Sequence, residues 1–412
     1  MQGLYTLIIW LYGRLLRLLA LLGHRQAAHW VQGRRQWREK VQNLPANRRI
    51  VWFHTASAGE FEQGRPIMEL HRQHNPNDFI LLTFFSPSGY LMRHDYAGAD
   101  LVCYLPEDLP AEVAAWNQLV NPSLAVFVKY EFWPHHFAAL RQNKVPLLLV
   151  SAPFRPSQPF FRWPTRRFWG KMLACVHHFY VQDAASARLL AGLGYHNSTV
   201  CGDTRTDRVM ALAQQAFVDP VLEAFARNQA VLVAGSTWPA DERLLADWLQ
   251  QHSNARLLLA SHTVNSARTA ELLERFGPGA IAYTAATPAD AAQSRVLILN
   301  TMGMLGKVYR YGRAAYIGGG FGKGIHNTLE AAIYGIPVFF GPKNEKFLEA
   351  QALKAEGLGF EITDAHGLNA TWAALAEPGK SEQIRTKAAS WFNAQAGASK
   401  RIANDINRLL AS

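Results

Sequence analysis

GGGFGKGIHNTLEAAIYGIPVFFGP, Gly318 to Pro342, is the stretch whose reading decides the fold. A short apolar run, Ala314 to Ile317, feeds five glycines in seven positions, then Asn327, then a helical pattern, then Pro337 to Phe340 as a second strand. Strand, loop, helix and strand in that order form a parallel crossover. Glycines permit positive φ and close backbone approach, so the loop is expected to turn its N–H groups, with the positive end of a helix starting near Asn327, toward an anion such as phosphate. The spacing is not G-x-G-x-x-G, because Lys323 stands where the third glycine would fall, and no Walker lysine precedes a Ser or Thr. Asn327 and Glu330 also have capping-box spacing, so Glu330 has two readings, a helix cap or a carboxylate for a ribose diol.

Working outward, the chain has 412 residues, 49% of them hydrophobic, enough for a large core and two domains. The formal charge of +11 points to an anionic partner: nucleic acid, acidic lipid or a phosphorylated substrate. Three cysteines, Cys103, Cys175 and Cys201, form no C-x-x-C pair, which argues against a disulfide framework or a zinc site. Leu4 to Leu22 is apolar apart from Arg14 and Arg17, and a basic flank follows (Arg25, Arg34, Arg35, Arg38, Lys40). It lacks the charge order and small-residue cleavage site of a secretory signal. The expectation is a membrane-associated helix over 1–24, spanning or lying in the interface, with the flank facing an anionic cytoplasmic leaflet.

From Ile50 onward short apolar runs alternate with helical patterns: Ile50 to Phe53, Phe79 to Thr83, Leu124 to Val128, Leu147 to Ser151 and Phe179 to Val181. The rhythm pauses over Arg208 to Gln229 and restarts at Val231 to Ala234, Leu257 to Ala260, Val296 to Leu299, Ala314 to Ile317 and Val338 to Phe340. This is α/β patterning with parallel sheets, read as two Rossmann-like domains over 25–215 and 216–412. Ligands bind at the carboxyl ends of such strands, so the following loops are the candidate sites. They are His54 to Glu60, Ser86 to Gly89, Lys129 to Pro134 with Glu131, Gly202 to Asp207 with Arg205, Gly235-Ser236-Thr237, Ser261-His262 and Asn300 to Met304. Ser57 and Glu60 again have capping-box spacing. Arginines interleaved with aromatics between Phe160 and Trp169 (Arg162, Arg166, Arg167) suit single-stranded nucleic acid or a lipid headgroup interface, and the apolar N-terminus favours lipid.

In this order the motifs resemble the Kdo transferases of lipopolysaccharide assembly over nearly the whole chain. The residues that carry the resemblance are the apolar N-terminal segment, HTASAGE at His54 to Glu60, LPEDLP at Leu105 to Pro110, YEFWP at Tyr130 to Pro134 and GDTRTD at Gly202 to Asp207. GST at Gly235 to Thr237, NTMGML at Asn300 to Leu305, HNTLEAA at His326 to Ala332 and Gly341-Pro342 complete them. The resemblance implies a GT-B architecture, two Rossmann-like domains facing across a cleft, with the acceptor on the first and the nucleotide sugar on the second. It implies inverting transfer of 3-deoxy-D-manno-octulosonic acid (Kdo) from CMP-Kdo to a lipid A precursor at the cytoplasmic face of the bacterial inner membrane, without cofactor, metal or nucleic acid.

By motif position Glu60 is then the general base, Arg205 supports the departing charge, and Glu131 is a further catalytic residue. Ser236, Thr237, Ser261, His262, Met302, Gly303, Met304, His326, Asn327 and Glu330 fall on the CMP-Kdo side, and Arg162, Arg166 and Arg167 on the acceptor and membrane face. Lys129 stands where many members have an acid, Ser261 where many have arginine, and Ile325 where glycine is frequent. Arg268 and Lys323 are the nearby cations available in place of that arginine. The alternatives are a GT-B transferase using a UDP-sugar on another membrane lipid, and a noncatalytic protein that binds anionic lipid.

Overall fold

The computed structural model describes residues 1–411 and divides the chain into two units, each built on one parallel sheet. The first comprises Met1–Arg208 and the chain from Gln395 onward, the second Val209–Ala394. Its sheet contains β1 (Ile50–Thr55), β2 (Phe79–Phe84), β3 (Leu101–Tyr104), β4 (Leu124–Val128), β5 (Leu147–Ala152), β6 (His178–Val181) and β7 (Ser198–Val200), in the order β3-β2-β1-β4-β5-β6-β7. Strand residues alternate between two buried faces. Trp52, Leu81, Phe127 and Leu149 enter one core, and Val51, Phe53, Ile80, Val126 and Val150 the other. A sheet covered on both sides has no polar face to show, which is why these strands read as continuous apolar runs. Each buried Leu or Phe contributes about 1.5–3 kcal/mol relative to exposure.

The second unit repeats the plan with β8 (Ala230–Thr237), β9 (Ala255–Ser261), β10 (Ala280–Ala282), β11 (Val296–Ile298), β12 (Ala314–Ile317), β13 (Val338–Phe340) and β14 (Gly359–Glu361). Their order is β10-β11-β9-β8-β12-β13-β14. Both sheets have a switch point, between β1 and β4 and between β8 and β12, where successive crossovers depart in opposite directions and open a crevice at the strand ends.

Two sequence expectations are corrected. The second domain does not run to residue 412. The terminal helix Ala398–Ala411 buries Ile402 and Ile406 in the first unit's core, and its start is tied down by Asp207, which accepts from the N–H groups of Gly397 and Ser399, both at 2.6 Å. The helix expected from Asn327 is a single turn, Leu329–Ala332. So short a helix has little dipole to offer, and any anion at this loop must be met by individual N–H groups.

The N-terminal helix α1 (Gln2–Leu21) is long and apolar enough to cross a membrane by length and composition. It is fastened to the first unit along one side. The Tyr5 hydroxyl donates to Asp108 at 2.7 Å, Thr6 bonds His135 at 2.9 Å, and Arg17 pairs with Glu107. Gly13 lies so close to Glu107 that a Cβ would fall 2.1 Å from its Oε2. Both acids of the LPEDLP motif therefore hold α1. The opposite side, with Leu4, Leu7, Ile8, Leu11, Leu15 and Leu18, is exposed.

Candidate active site

At the first switch point β1 ends in His54-Thr55, and Ser57 caps the next helix, α4 (Ala58–His74). The capping box forms: Glu60 Oε2 accepts from the N–H groups of Ala56 at 2.8 Å and Ser57 at 3.1 Å, and the Ser57 hydroxyl faces the Glu60 N–H at 3.5 Å. Among the described residues all bonds to the carboxylate go to Oε2, which leaves Oε1 for another partner. The cap thus fixes a carboxylate that retains one free oxygen. Burial first, then the nearby Glu131 charge, pushes the Glu60 carboxyl from 4.5 up to about 7, against the opposing backbone bonds and Lys129. A group poised there is suited to proton transfer at neutral pH.

Glu131 arrives from the loop after β4, the neighbouring strand. It is 7% exposed and bonds His54 Nε2 at 2.8 Å and the Trp133 indole N–H at 2.9 Å, both through Oε2. The other His54 nitrogen meets the Thr83 hydroxyl at 2.8 Å, and Trp52 donates to the same hydroxyl at 2.8 Å. Lys129 sits between strand and loop with φ of 65°, a left-handed residue that turns the chain toward Glu131.

Arg205 lies at the start of the helix Thr204–Gln214 and is not a bare cation. It pairs with Asp203 at 2.6 Å, and Asp203 also accepts from Gln63, one turn along α4 from Glu60, and from Gln182. Burial would raise the Asp203 carboxyl, but Arg205 and these donors outweigh it and hold it below its usual value. Arg162, Arg166 and Arg167 are exposed, around a Trp163 that is 91% exposed, in a segment whose Phe160 packs on Phe132 of the Glu131 loop.

In the second unit the glycines are required by loops that touch backbone to backbone. A Cβ on Gly318 would lie 2.4 Å from the Ser236 carbonyl oxygen, and one on Gly320 would lie 2.5 Å from the Gly341 Cα. The loops after β8, β12 and β13 therefore meet directly. Buried Asp241 pins them by accepting from the N–H groups of Gly319 and Trp238, both at 2.9 Å, and from the Tyr316 hydroxyl. The His262 N–H donates to the Thr237 carbonyl at 2.9 Å, joining the loop after β9 to the same group. Trp238, His262 and His326 stack in series, at 4.5 Å and 4.7 Å between ring centroids. Burial and the adjacent His262 hold His326 below the usual histidine value, which favours its uncharged form.

Asn327 and Glu330 do come together, though by a contact other than the expected box: the Asn327 side-chain amide donates to Glu330 Oε1 at 3.0 Å, and its oxygen accepts from the Leu329 N–H. Glu330 Oε2 lies against Gly306, just past the exposed Met302, Gly303 with φ of 82°, and Met304. Thr237 is 1% exposed and gives its hydroxyl to Glu242, and Ser261 turns its own back to the Thr263 carbonyl. Arg268 pairs with buried Glu242 and with Glu271, whereas Lys323 is exposed. The side-chain roles of His54, Thr83, Asp203, Trp238, Asp241 and Glu242 were missed from sequence. His54 and Asp203 lie within motifs and Trp238 beside one, but the partners that give them a role come from other elements of the fold.

Residues 34–208 match the family model described as 3-deoxy-D-manno-octulosonic-acid transferase (kdotransferase). Over that stretch, which lies in the first unit, the chain is similar to this family. Among relatives, the 3-deoxy-D-manno-octulosonic acid transferase of Aquifex aeolicus is 27% identical over 323 residues, 76% of this chain and 82% of the relative. That of Bordetella pertussis is 26% identical over 368 residues, 85% of each. The fold is GT-B-like. Among solved structures the UDP-GlcNAc 2-epimerase of Neisseria meningitidis superposes with a TM-score of 0.62 at 13% identity, covering 88% of this chain and all of the other. The calicheamicin glycosyltransferase CalG4 gives 0.53 at 12%, covering 89% and 99%. At these identities the structural likeness speaks for the fold alone.

Proposed function

We propose that this protein is an inverting glycosyltransferase that moves Kdo from CMP-Kdo to a lipid A precursor of the lipid IVA type, at the cytoplasmic face of a bacterial inner membrane. The observation that carries the mechanism is Glu60, a carboxylate fixed through one oxygen, free at the other, and pushed up to about 7. A sugar hydroxyl is a weak nucleophile, and Glu60 takes its proton as the new C–O bond forms at the anomeric carbon of Kdo. The bond to CMP breaks on the opposite face with oxocarbenium character, so configuration inverts, by analogy with single displacement in glycoside chemistry. Glu131, fixed by His54 and Trp133, keeps Glu60 basic through its charge.

The donor belongs to the second unit in this reading. Glu330 accepts from the ribose, the stacked His262 and His326 line the nucleotide subsite, and loop N–H groups meet the phosphate. Ser236 and the Met302 to Met304 loop border the same subsite. The hydroxyls of Thr237 and Ser261 act through the loops they brace, and Asn327 orients Glu330. Arg205 exchanges Asp203 for the departing phosphate monoester, and no metal is assigned a part. The acceptor meets the first unit at the bilayer surface, near Arg162, Arg166 and Arg167. Fastening of α1 along its length, with its apolar side outward, supports a helix that lies in the interface rather than one that leaves the domain to cross the membrane.

The test is mass analysis of lipid products after incubation with CMP-Kdo and a lipid A precursor. Addition of Kdo is expected. Transfer from a UDP-sugar instead, with UDP rather than CMP bound, would overturn the donor assignment, and no transfer with either donor would overturn the reaction.

A further inference from the structure

A second basic feature lies in the first unit, next to the loops of the β1/β4 switch point: Phe85, whose carbonyl meets Arg34, bonds the Thr55 carbonyl through its N–H and packs on Trp133. A cavity of about 300 Å³ opens between α1, the helix α2 (Arg25–Arg35), the turn of helix after it and the LPEDLP loop. Four arginines line it: Arg17, Arg34, Arg35 and Arg38. Two have carboxylates of their own, Arg17 with Glu107 and Arg38 with Glu112 at 2.9 Å, and the Trp37 indole N–H also donates to Glu112. Arg34 and Arg35 make no ion pair among the described residues.

Arg34 is 6% exposed, held over the rings of Trp30, Phe85 and Tyr104 at 4.0, 4.8 and 5.2 Å. One nitrogen donates to the Phe85 carbonyl at 2.8 Å, while Nε and the other terminal nitrogen meet no acceptor. The rings recover part of the cost of burying a cation, but they accept no strong hydrogen bond. Burial pulls the guanidinium down to about 9 against the opposing pull of Tyr104 and Glu107. The lining carries four positive and two negative side chains, and its one fully enclosed cation, Arg34, has no carboxylate partner among the described residues. An anion would remove this imbalance, and a tetrahedral one with several oxygens suits a set of guanidinium forks.

We propose that this cavity is a binding site for a phosphate monoester, lined by none of the residues assigned above to the donor or the acceptor. The phosphate can come free from solution or on the headgroup of an anionic lipid, since α1 carries its exposed apolar side beside the cavity.

The experiment uses the full chain in detergent with saturating CMP present, so that phosphate binding to the nucleotide loops is suppressed. Inorganic phosphate is titrated calorimetrically, and in a second arm the protein is floated with vesicles of phosphatidylcholine with and without phosphatidic acid. Arg35→Gln is the main variant, because Arg35 is exposed and its loss should not disturb folding. Arg34→Gln is the stronger variant where circular dichroism shows it folded. Arg25→Gln removes the same charge from α2 outside the cavity lining. The expected result is one saturable phosphate site per chain, weakened at least tenfold by Arg35→Gln and less than twofold by Arg25→Gln. The same contrast seen only with phosphatidic acid vesicles assigns the phosphate to lipid. Absence of phosphate-dependent binding in both arms, or equal loss in Arg35→Gln and Arg25→Gln, overturns the proposal.

Discussion

Replacing Glu60 by Gln should abolish transfer and at the same time stabilise the first unit at alkaline pH. In the native carboxylate Oε2 holds the Ala56 and Ser57 N–H groups, and a glutamine carbonyl can do the same, so the cap survives. What the change removes is the charge, which the site disfavours chiefly through burial and then through Glu131. At about 1.4 kcal/mol per pH unit, the interval from 4.5 to about 7 corresponds to at most about 3 kcal/mol. The sign follows from linkage. Between pH 4.5 and about 7 the folded chain binds a proton that the unfolded chain has lost, so native stability declines as pH rises through that window. Below 4.5 both states are protonated and the variant gains nothing.

Thermal unfolding of native and variant protein at pH 5 and pH 8 reads this directly. The expectation is near coincidence at pH 5 and a rise at pH 8 of up to roughly 6–12 °C in the transition of the first unit, at about 2–4 °C per kcal/mol for a unit of this size. Native kcat/KM should rise about tenfold per pH unit below about 7 and level off above it. A variant less stable than the native protein at pH 8 would mean that the charge itself supports the cap. Retention of most activity by the variant would remove Glu60 from the chemistry.

Glu330→Ala should weaken CMP binding by about 1–3 kcal/mol in calorimetry, the scale of a hydrogen bond to a charged group; unchanged affinity with a lower melting temperature would leave Glu330 a purely structural partner of Asn327. Gly320→Ala must push a Cβ to within 2.5 Å of the Gly341 backbone, so CMP affinity should fall more than tenfold and the second unit should melt earlier, and tolerance of the change would contradict the loop packing. Treatment with EDTA should leave transfer undiminished, and activity restored only by a divalent cation would require a metal in the mechanism. Deleting residues 1–22 should release much of the protein from membranes in high salt, whereas the intact chain needs detergent, and changing Arg162, Arg166 and Arg167 to Gln should raise KM for the lipid acceptor alone. A rise in the donor KM instead would move those arginines to the nucleotide side.

Central strands were legible because a parallel sheet covered on both faces demands uninterrupted apolar runs, and Leu124–Val128, Ala314–Ile317 and Val338–Phe340 are such runs. The strands that escaped the pattern, β3, β7, β10 and β14, lie at sheet edges, where three or four residues with one neighbour need little apolar sequence. Sequence also located the site loops, since topology puts them after those strands. Tertiary structure alone decided what each side chain in them does, because the deciding partners are distant in sequence. His54 meets Glu131 and Thr83 only because β1 lies between β2 and β4, and Arg205 acquires Asp203 held by Gln63 from α4. The acids of LPEDLP became anchors once α1 folded back on them. Periodicity records which face of an element is buried, a local property of the chain. Hydrogen bonds between charged groups depend on which loops converge, and that is fixed only when the sheets have formed.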